Sequence, residues 1–224
     1  MRLLVRFRKT GTAAYISHLD LMRSMQRAMR RAQIPMRYSQ GFNPHPLLAF
    51  AMASPVGMSS HAEYMDVRVE DGADLETMTA ALRRSLPDGF AIVRTRLVED
   101  GYPTLMSRVA VCEAVLDFPN AEDLGPLWER FMQQDEIVID KHSKKGMRKV
   151  DIKPMILASR PESESEIAVR VKAGSSENLN PVLLAEAFCS FAGIAPVFYC
   201  LQRALWGGNT EELRDLFDLD GENK

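Results

Sequence analysis

The sequence is poor in cysteine: three in 224 residues, Cys112, Cys189 and Cys200, with no Cys-x-x-Cys pair. That argues against a disulfide framework, a zinc knuckle or an iron–sulfur cluster held by this chain. His61 and His142 have no ligand-type companions at metal spacing, so neither a metal nor a cofactor is expected. Long apolar runs are missing too, and none approaches the roughly 18 residues of a membrane span. The opening Met1-Arg-Leu-Leu-Val-Arg-Phe-Arg8 is broken by charge throughout, which the apolar core of a signal peptide is not. These absences predict a soluble, cytoplasmic protein without a membrane partner. The chain also lacks a P-loop, a dinucleotide-binding fingerprint, His-Glu-x-x-His and Gly-x-Ser-x-Gly. Enzymes built on those motifs are excluded, and a non-catalytic role is the first expectation.

What is present is charge, unevenly placed. Residues 1–50 hold nine Lys/Arg and one acid, Asp20, for a net +8. The whole chain carries −2, so residues 51–224 carry −10. A surface of one sign concentrates partners of the other. Arg23, Arg27 and Arg30 recur at i, i+4 and i+7, with Arg31 alongside and no acid at i+4 to pair them. Either this is a footprint for phosphates or it is a solvated helix face, and the spacing alone leaves both open. Residues 141–153 add six Lys/Arg against one Asp, with Lys144, Lys145, Arg148 and Lys149 as candidate contacts.

Periodicity predicts an α+β fold of two successive βαββαβ units, tandem ferredoxin-like, with antiparallel sheets and helices on one face. The expected divisions are 1–101, 102–210 and an acidic, frayed tail at 211–224. In the first unit a strand at Leu3–Arg8 leads to a helix from His18 to about Gln33. Ser17 is its expected N-cap, with Asp20 completing the cap and Met22, Met25, Met29 and Ala32 as the core stripe. Met36–Tyr38 and Leu47–Ala53 are expected as the next two strands, flanking the loop Ser39-Gln-Gly-Phe-Asn-Pro-His-Pro46. Tyr64–Val69 is either a further strand or the continuation of the second, and a helix over Asp74–Leu86 and a strand at Phe90–Val98 complete the unit.

That assignment gathers Lys9, His18 and the Gly41–His45 loop at one end of the sheet. Lys9 and the helix start would attract an anion. Tyr38 and Phe42 offer stacking faces, Gln40 and Asn43 amide readers, and Gly41 a close backbone approach. His18 and His45 could act as acid and base if they met.

Three segments carry a resemblance: Tyr15-Ile-Ser-His-Leu-Asp-Leu-Met-Arg23, Tyr38-Ser-Gln-Gly-Phe-Asn-Pro-His-Pro46 and Pro55-Val-Gly57. Together with Lys144-Lys-Gly-Met-Arg-Lys-Val-Asp-Ile-Lys-Pro154, they make the chain similar to the radical SAM-linked family of unknown function. The resemblance implies an accessory protein working beside a radical SAM enzyme. Taken with the basic segment, it leads to an RNA-binding module; DNA is not expected. Two other classes stay open: a metal-free endoribonuclease using His18 and His45, and a pure protein-interaction module.

Overall fold

The computed structural model describes residues 1–121, 123–143, 146–208 and 212–219. The first half runs β1 (Arg2–Lys9), a 3-10 turn at Gly11–Tyr15, α1 (His18–Arg31), β2 (Leu48–Phe50), β3 (Met58–Arg68), α2 (Leu75–Ser85) and β4 (Phe90–Val98). The second runs α3 (Leu105–Arg108), β5 (Val109–Asp117), α4 (Leu124–Met132), β6 (Val138–Ser143), β7 (Gly146–Asp151), β8 (Ile156–Pro161), β9 (Glu166–Lys172), α5 (Pro181–Ala192), β10 (Tyr199–Gly208) and β11 (Leu213–Asp215). This is a mixed α+β fold built on one large, mostly antiparallel sheet.

The strand order is β4-β1-β3-β10-β5-β9-β8, with β2 added to β3 and β11 to β10. The halves meet where Met58–Ser60 of β3 pair in parallel with Cys200–Gln202 of β10. Beyond that short ladder the strands fork, β3 taking β2 as its neighbour and β10 taking β11. A separate sheet for each half was expected; the two halves share one large sheet. The hairpin β6–β7 pairs only with itself.

Local signals set the helices. Ser17 caps α1, its Oγ accepting from the Asp20 N–H at 3.1 Å and donating to the Asp20 carboxylate at 2.7 Å. Asp74 caps α2 through the Thr77 N–H, and Asn180 caps α5 with Pro181 at its first position. The buried stripe of α1 is Leu21, Met25, Ala28 and Met29, packed on Leu3, Val5, Phe7, Met65 and Val67. Met22 and Ala32 sit at its flank and are only partly buried, so the stripe is rotated by about one position from the expected one.

Two expected elements are corrected. Met36–Tyr38 is not a strand: it makes only isolated bridges, Met36 to Val69 and Tyr38 to Pro46. The tail is not frayed over residues 212–219; residues 211 and 220–224 lie outside the described residues. There β11 pairs with Trp206–Gly208 of β10, and Leu216 and Phe217 are fully buried. Asp215 accepts from Arg6 at 2.7 Å and from the Tyr64 hydroxyl at 2.9 Å, and Asp218 from Arg94 at 2.8 Å. The acids of the tail answer arginines of β1 and β4, which is why an acidic stretch can dock.

Where β1 ends, three connections meet. The Thr10 N–H donates to the Gly89 carbonyl and the Gly57 N–H to the Ala14 carbonyl, both at 2.9 Å. Gly89 has φ +85°, and a Cβ there would lie 2.7 Å from the Thr10 oxygen and 2.8 Å from the Ala13 Cβ. Gly89→Ala should therefore cost about 1–3 kcal/mol of backbone strain plus the collision. Urea unfolding would show it as a lowered midpoint at unchanged slope.

Candidate functional site

The sheet end at Lys9 holds a buried polar chain. Lys9 is 1% exposed and donates to the Ser54 Oγ at 2.6 Å. Glu63, 2% exposed, has the Ser54 and Ser60 hydroxyls beside it, which favour its charged form, and one of its oxygens, Oε1, is buried without a hydrogen-bond partner. Gln202 Nε2 donates to the Ser60 Oγ at 3.1 Å and the Ala62 carbonyl at 2.7 Å. The Cys112 thiol lies 3.8 Å from the Gln202 Oε1. Burial raises the Glu63 carboxyl, with Lys9 opposing it, and burial likewise lowers the Lys9 ammonium, with Glu63 opposing. Lys9 is therefore no surface ligand for an anion. The same chain of contacts runs from the core under α1 and α2 to Cys112 in the core under α4 and α5, so the four long helices share one side of the sheet.

His18 opens α1 with its ring against Phe50, centroids 5.3 Å apart, and its Nδ1 buried without a partner. Of the anion-attracting N–H groups at that helix start, the Asp20 N–H is taken by the Ser17 Oγ, and the Asp20 carboxylate places a negative charge beside the others.

The loop of residues 39–46 lies at the other end. Arg37 and Leu47 hydrogen-bond to Arg68, whose strand partner is Arg2, at the start of β1. His18 follows the finish of β1. Seven residue steps of strand separate those ends, about 23 Å, so the structure does not bring His18 and His45 together. The β2–β3 connection that does reach the Lys9 end is residues 51–57. Within its own loop His45 is tied to Ser39: Oγ and Nδ1 are 2.9 Å apart and the Ser39 N–H donates to the His45 carbonyl. Gly41 takes φ +124°, Gln40 and Asn43 are exposed, Tyr38 is 41% exposed, and Phe42 stands wholly free at the tip.

The basic segment divides in two. Arg2 is buried against Asp66, Arg6 pairs with Asp215, and Arg37 holds Glu70, Asp71 and Asp100. Much of the +8 is thus spent inside the molecule. Arg23 pairs with Asp20 at 3.2 Å, both exposed. Arg27, Arg30 and Arg31 are exposed and form no ion pair among the described residues. Arg31 donates to the Ser85 carbonyl at 2.6 Å, which brings the exposed Arg83 and Arg84 of α2 beside them. The sequence reading missed these two, although a pair of arginines closing an amphipathic helix was the available signal.

On the hairpin, Arg148 and Lys149 are exposed on β7, and Lys149 sits opposite Asp140. Lys144 and Lys145 lie outside the described residues.

A second feature went unread. The sheet face turned away from α4 and α5 carries a groove of about 400 Å³, whose lining includes Thr10, His61, Asp117, Tyr199 and Arg203. Period-two alternation over Tyr199, Leu201 and Arg203 was its only trace in the sequence.

One large sheet with helices to one side, an arginine surface on the helices and an aromatic-bearing groove on the sheet make up a mixed α+β fold with two candidate surfaces. Residues 2–181 match the profile of the family described as "Uncharacterized protein conserved in bacteria" (DUF2344), and the chain belongs to it. No curated protein matches the chain. Among solved structures it is similar to a chain in a crystal structure of a Cbf5-Nop10-Gar1 complex, at 9% identity and a TM-score of 0.46. That alignment takes in 97% of this chain and 53% of the other, so the chain spans about half of that protein's length. No described helix is long and apolar enough to cross a membrane.

Proposed function

We propose that this chain is a non-catalytic accessory protein that binds RNA through the arginine face of α1 and α2, beside a radical SAM enzyme. The observation that carries the RNA reading is the cluster of Arg27, Arg30, Arg31, Arg83 and Arg84, exposed and without acid partners among the described residues. Unpaired guanidinium groups on one surface are neutralised by phosphates with release of counterions. The loop bearing Phe42 leaves from the end at which α1 closes on Arg30 and Arg31, which puts a stacking group at that end of the sheet.

In the same reading each half is a ferredoxin-like βαββαβ unit, divided near residue 101. Support comes from strand order: β4-β1-β3-β2 in the first half and β10-β5-β9-β8 in the second, the latter with the β6–β7 hairpin inserted. The radical SAM partner rests on the sequence resemblance. Its segment Pro55–Gly57 is bonded through the Gly57 N–H to Ala14, the residue before the segment that opens at Tyr15, and Tyr15, Leu19 and Val56 are more than half exposed. We assign the partner enzyme to that surface. Acid–base cleavage is not proposed, because His18 and His45 stand apart.

The test is the anisotropy of a labelled single-stranded RNA across a salt series. Replacing Arg27, Arg30, Arg83 and Arg84 by Ala should weaken binding for every sequence. It should also take up to about 3 from the slope of log K against log salt, at roughly 0.7 per lost phosphate contact. A wild type with no salt-sensitive affinity above that of a charge-matched control protein means the partner is not RNA.

A further inference from the structure

The open face of the second half is a grid whose rows are fixed by strand register. Tyr199 of β10 pairs with Asp117 of β5, and Asp117 pairs with Glu166 of β9. The next row on the same face is Leu201, Val115 and Ala168. Neighbouring strands lie about 4.8 Å apart and alternate rows about 6.8 Å, so an exposed aromatic, two carboxylates and an apolar floor fit within a heterocycle's span. Tyr199 is 58% exposed and Val115 3%, which makes one a free ring and the other a floor.

Two details say that this surface is incomplete. Like charges directly opposite each other across a ladder are destabilising, yet Asp117 and Glu166 stand so. Neither pairs with a cation among the described residues; their partners are the Ser165 hydroxyl at 2.7 Å and the Ser163 hydroxyl at 3.4 Å. Elsewhere on this face acids are matched, Glu113 by Arg170 at 2.7 Å and Glu162 by Arg203 at 2.6 Å. At the other side of the groove the charge reverses. Burial, with Arg8 and Arg203 nearby, lowers the His61 imidazole, so it offers a neutral donor there, and Arg8 is exposed and forms no ion pair among the described residues.

We propose that the groove binds a nucleotide whose base carries an exocyclic amino group. The base stacks on Tyr199 above Leu201 and Val115, as bases do on exposed aromatic rings. Its amino edge donates to Asp117 and Glu166, a pairing that carboxylates make with base amino groups. The phosphate lies toward Arg8, His61 and Arg203. An amine alone would leave the Arg8 guanidinium unanswered, and a phosphate alone would leave the acids so. The site is on the sheet side, away from the arginines of α1 and α2, and stands whether or not those bind RNA. The nucleotide can be free or a unit of a single strand.

Calorimetric titration of the full chain with AMP, CMP, GMP and UMP tests this. At least one amino-bearing nucleotide should bind about tenfold more tightly than UMP, which has no amino group. Tyr199→Ala should weaken that binding about tenfold, while Tyr199→Phe keeps it. Asp117→Asn should erode the margin over UMP. A single-stranded oligonucleotide of the preferred base separates the sources. If Tyr199→Ala weakens the strand as well, the groove takes a unit of RNA; if it weakens the mononucleotide alone, the ligand is free. Three results overturn the proposal: no saturable binding of any of the four, equal binding of UMP, or a Tyr199→Ala variant that binds as wild type. Loss of RNA binding in the helix-face arginine variant, with nucleotide titration unchanged, would bear on that face only.

Discussion

Lys9→Met should destabilise the protein by about 3–5 kcal/mol, because it leaves the Glu63 carboxylate buried without its cation. Glu63→Gln should cost a similar amount for the mirror reason. The double variant should cost clearly less than the two together, since two neutral side chains of like volume remove the stranded charge. The sign with pH follows from the direction of the shift. Glu63 is already raised by burial, and without Lys9 it is raised further. A raised carboxyl stabilises most when protonated and loses that contribution as pH climbs through its folded value. The penalty of Lys9→Met should therefore be smaller near pH 5 than near pH 8. Denaturant melts of the three variants at both pH values read all of this. Additive costs, or a penalty flat in pH, would show that the pair does not interact across Ser54.

Phe217→Ala should cost about 3–5 kcal/mol, the usual price of emptying a buried phenylalanine site. The ring is fully buried and meets Tyr64 edge-on, with centroids 5.5 Å apart. Its loss should also free Asp215 and Asp218 from Arg6 and Arg94, so amide exchange should rise along β11 and at the facing arginines. Leu213→Ala, at a half-exposed position of the same segment, should cost far less. If the two changes cost the same, the segment rests on the sheet without depending on its aromatic anchor.

The elements most legible in the sequence were those with local codes. Ser17 with Asp20, Asn180 with Pro181, and the alternation over Phe90–Val98 announce their structures within a few residues, and the chain follows them. The site was less legible because its position turns on one short strand. Reading Met36–Tyr38 as the second strand put the Gly41–His45 loop between strands two and three, at the Lys9 end. The strand is Leu48–Phe50, and the loop moves to the opposite end with it. Composition misled in a different way. The contrast of +8 and −10 was read as an outward-facing field, whereas a large part of it closes within the molecule through Arg2 and Asp66, Arg6 and Asp215, and Arg37 with its three acids. What an average charge does not show is which side chains face one another. The groove at Tyr199 depends on three strands distant in sequence, and no window of the chain contains it.

The contact between Arg6 and Asp215 spans 209 residues. During synthesis a chain gains structure from its beginning, so β1 is made long before the segment that satisfies its arginine and covers Tyr64. Through that interval Arg6 and the Tyr64 ring wait for the Asp215 carboxylate and the Phe217 ring that meet them in the folded chain.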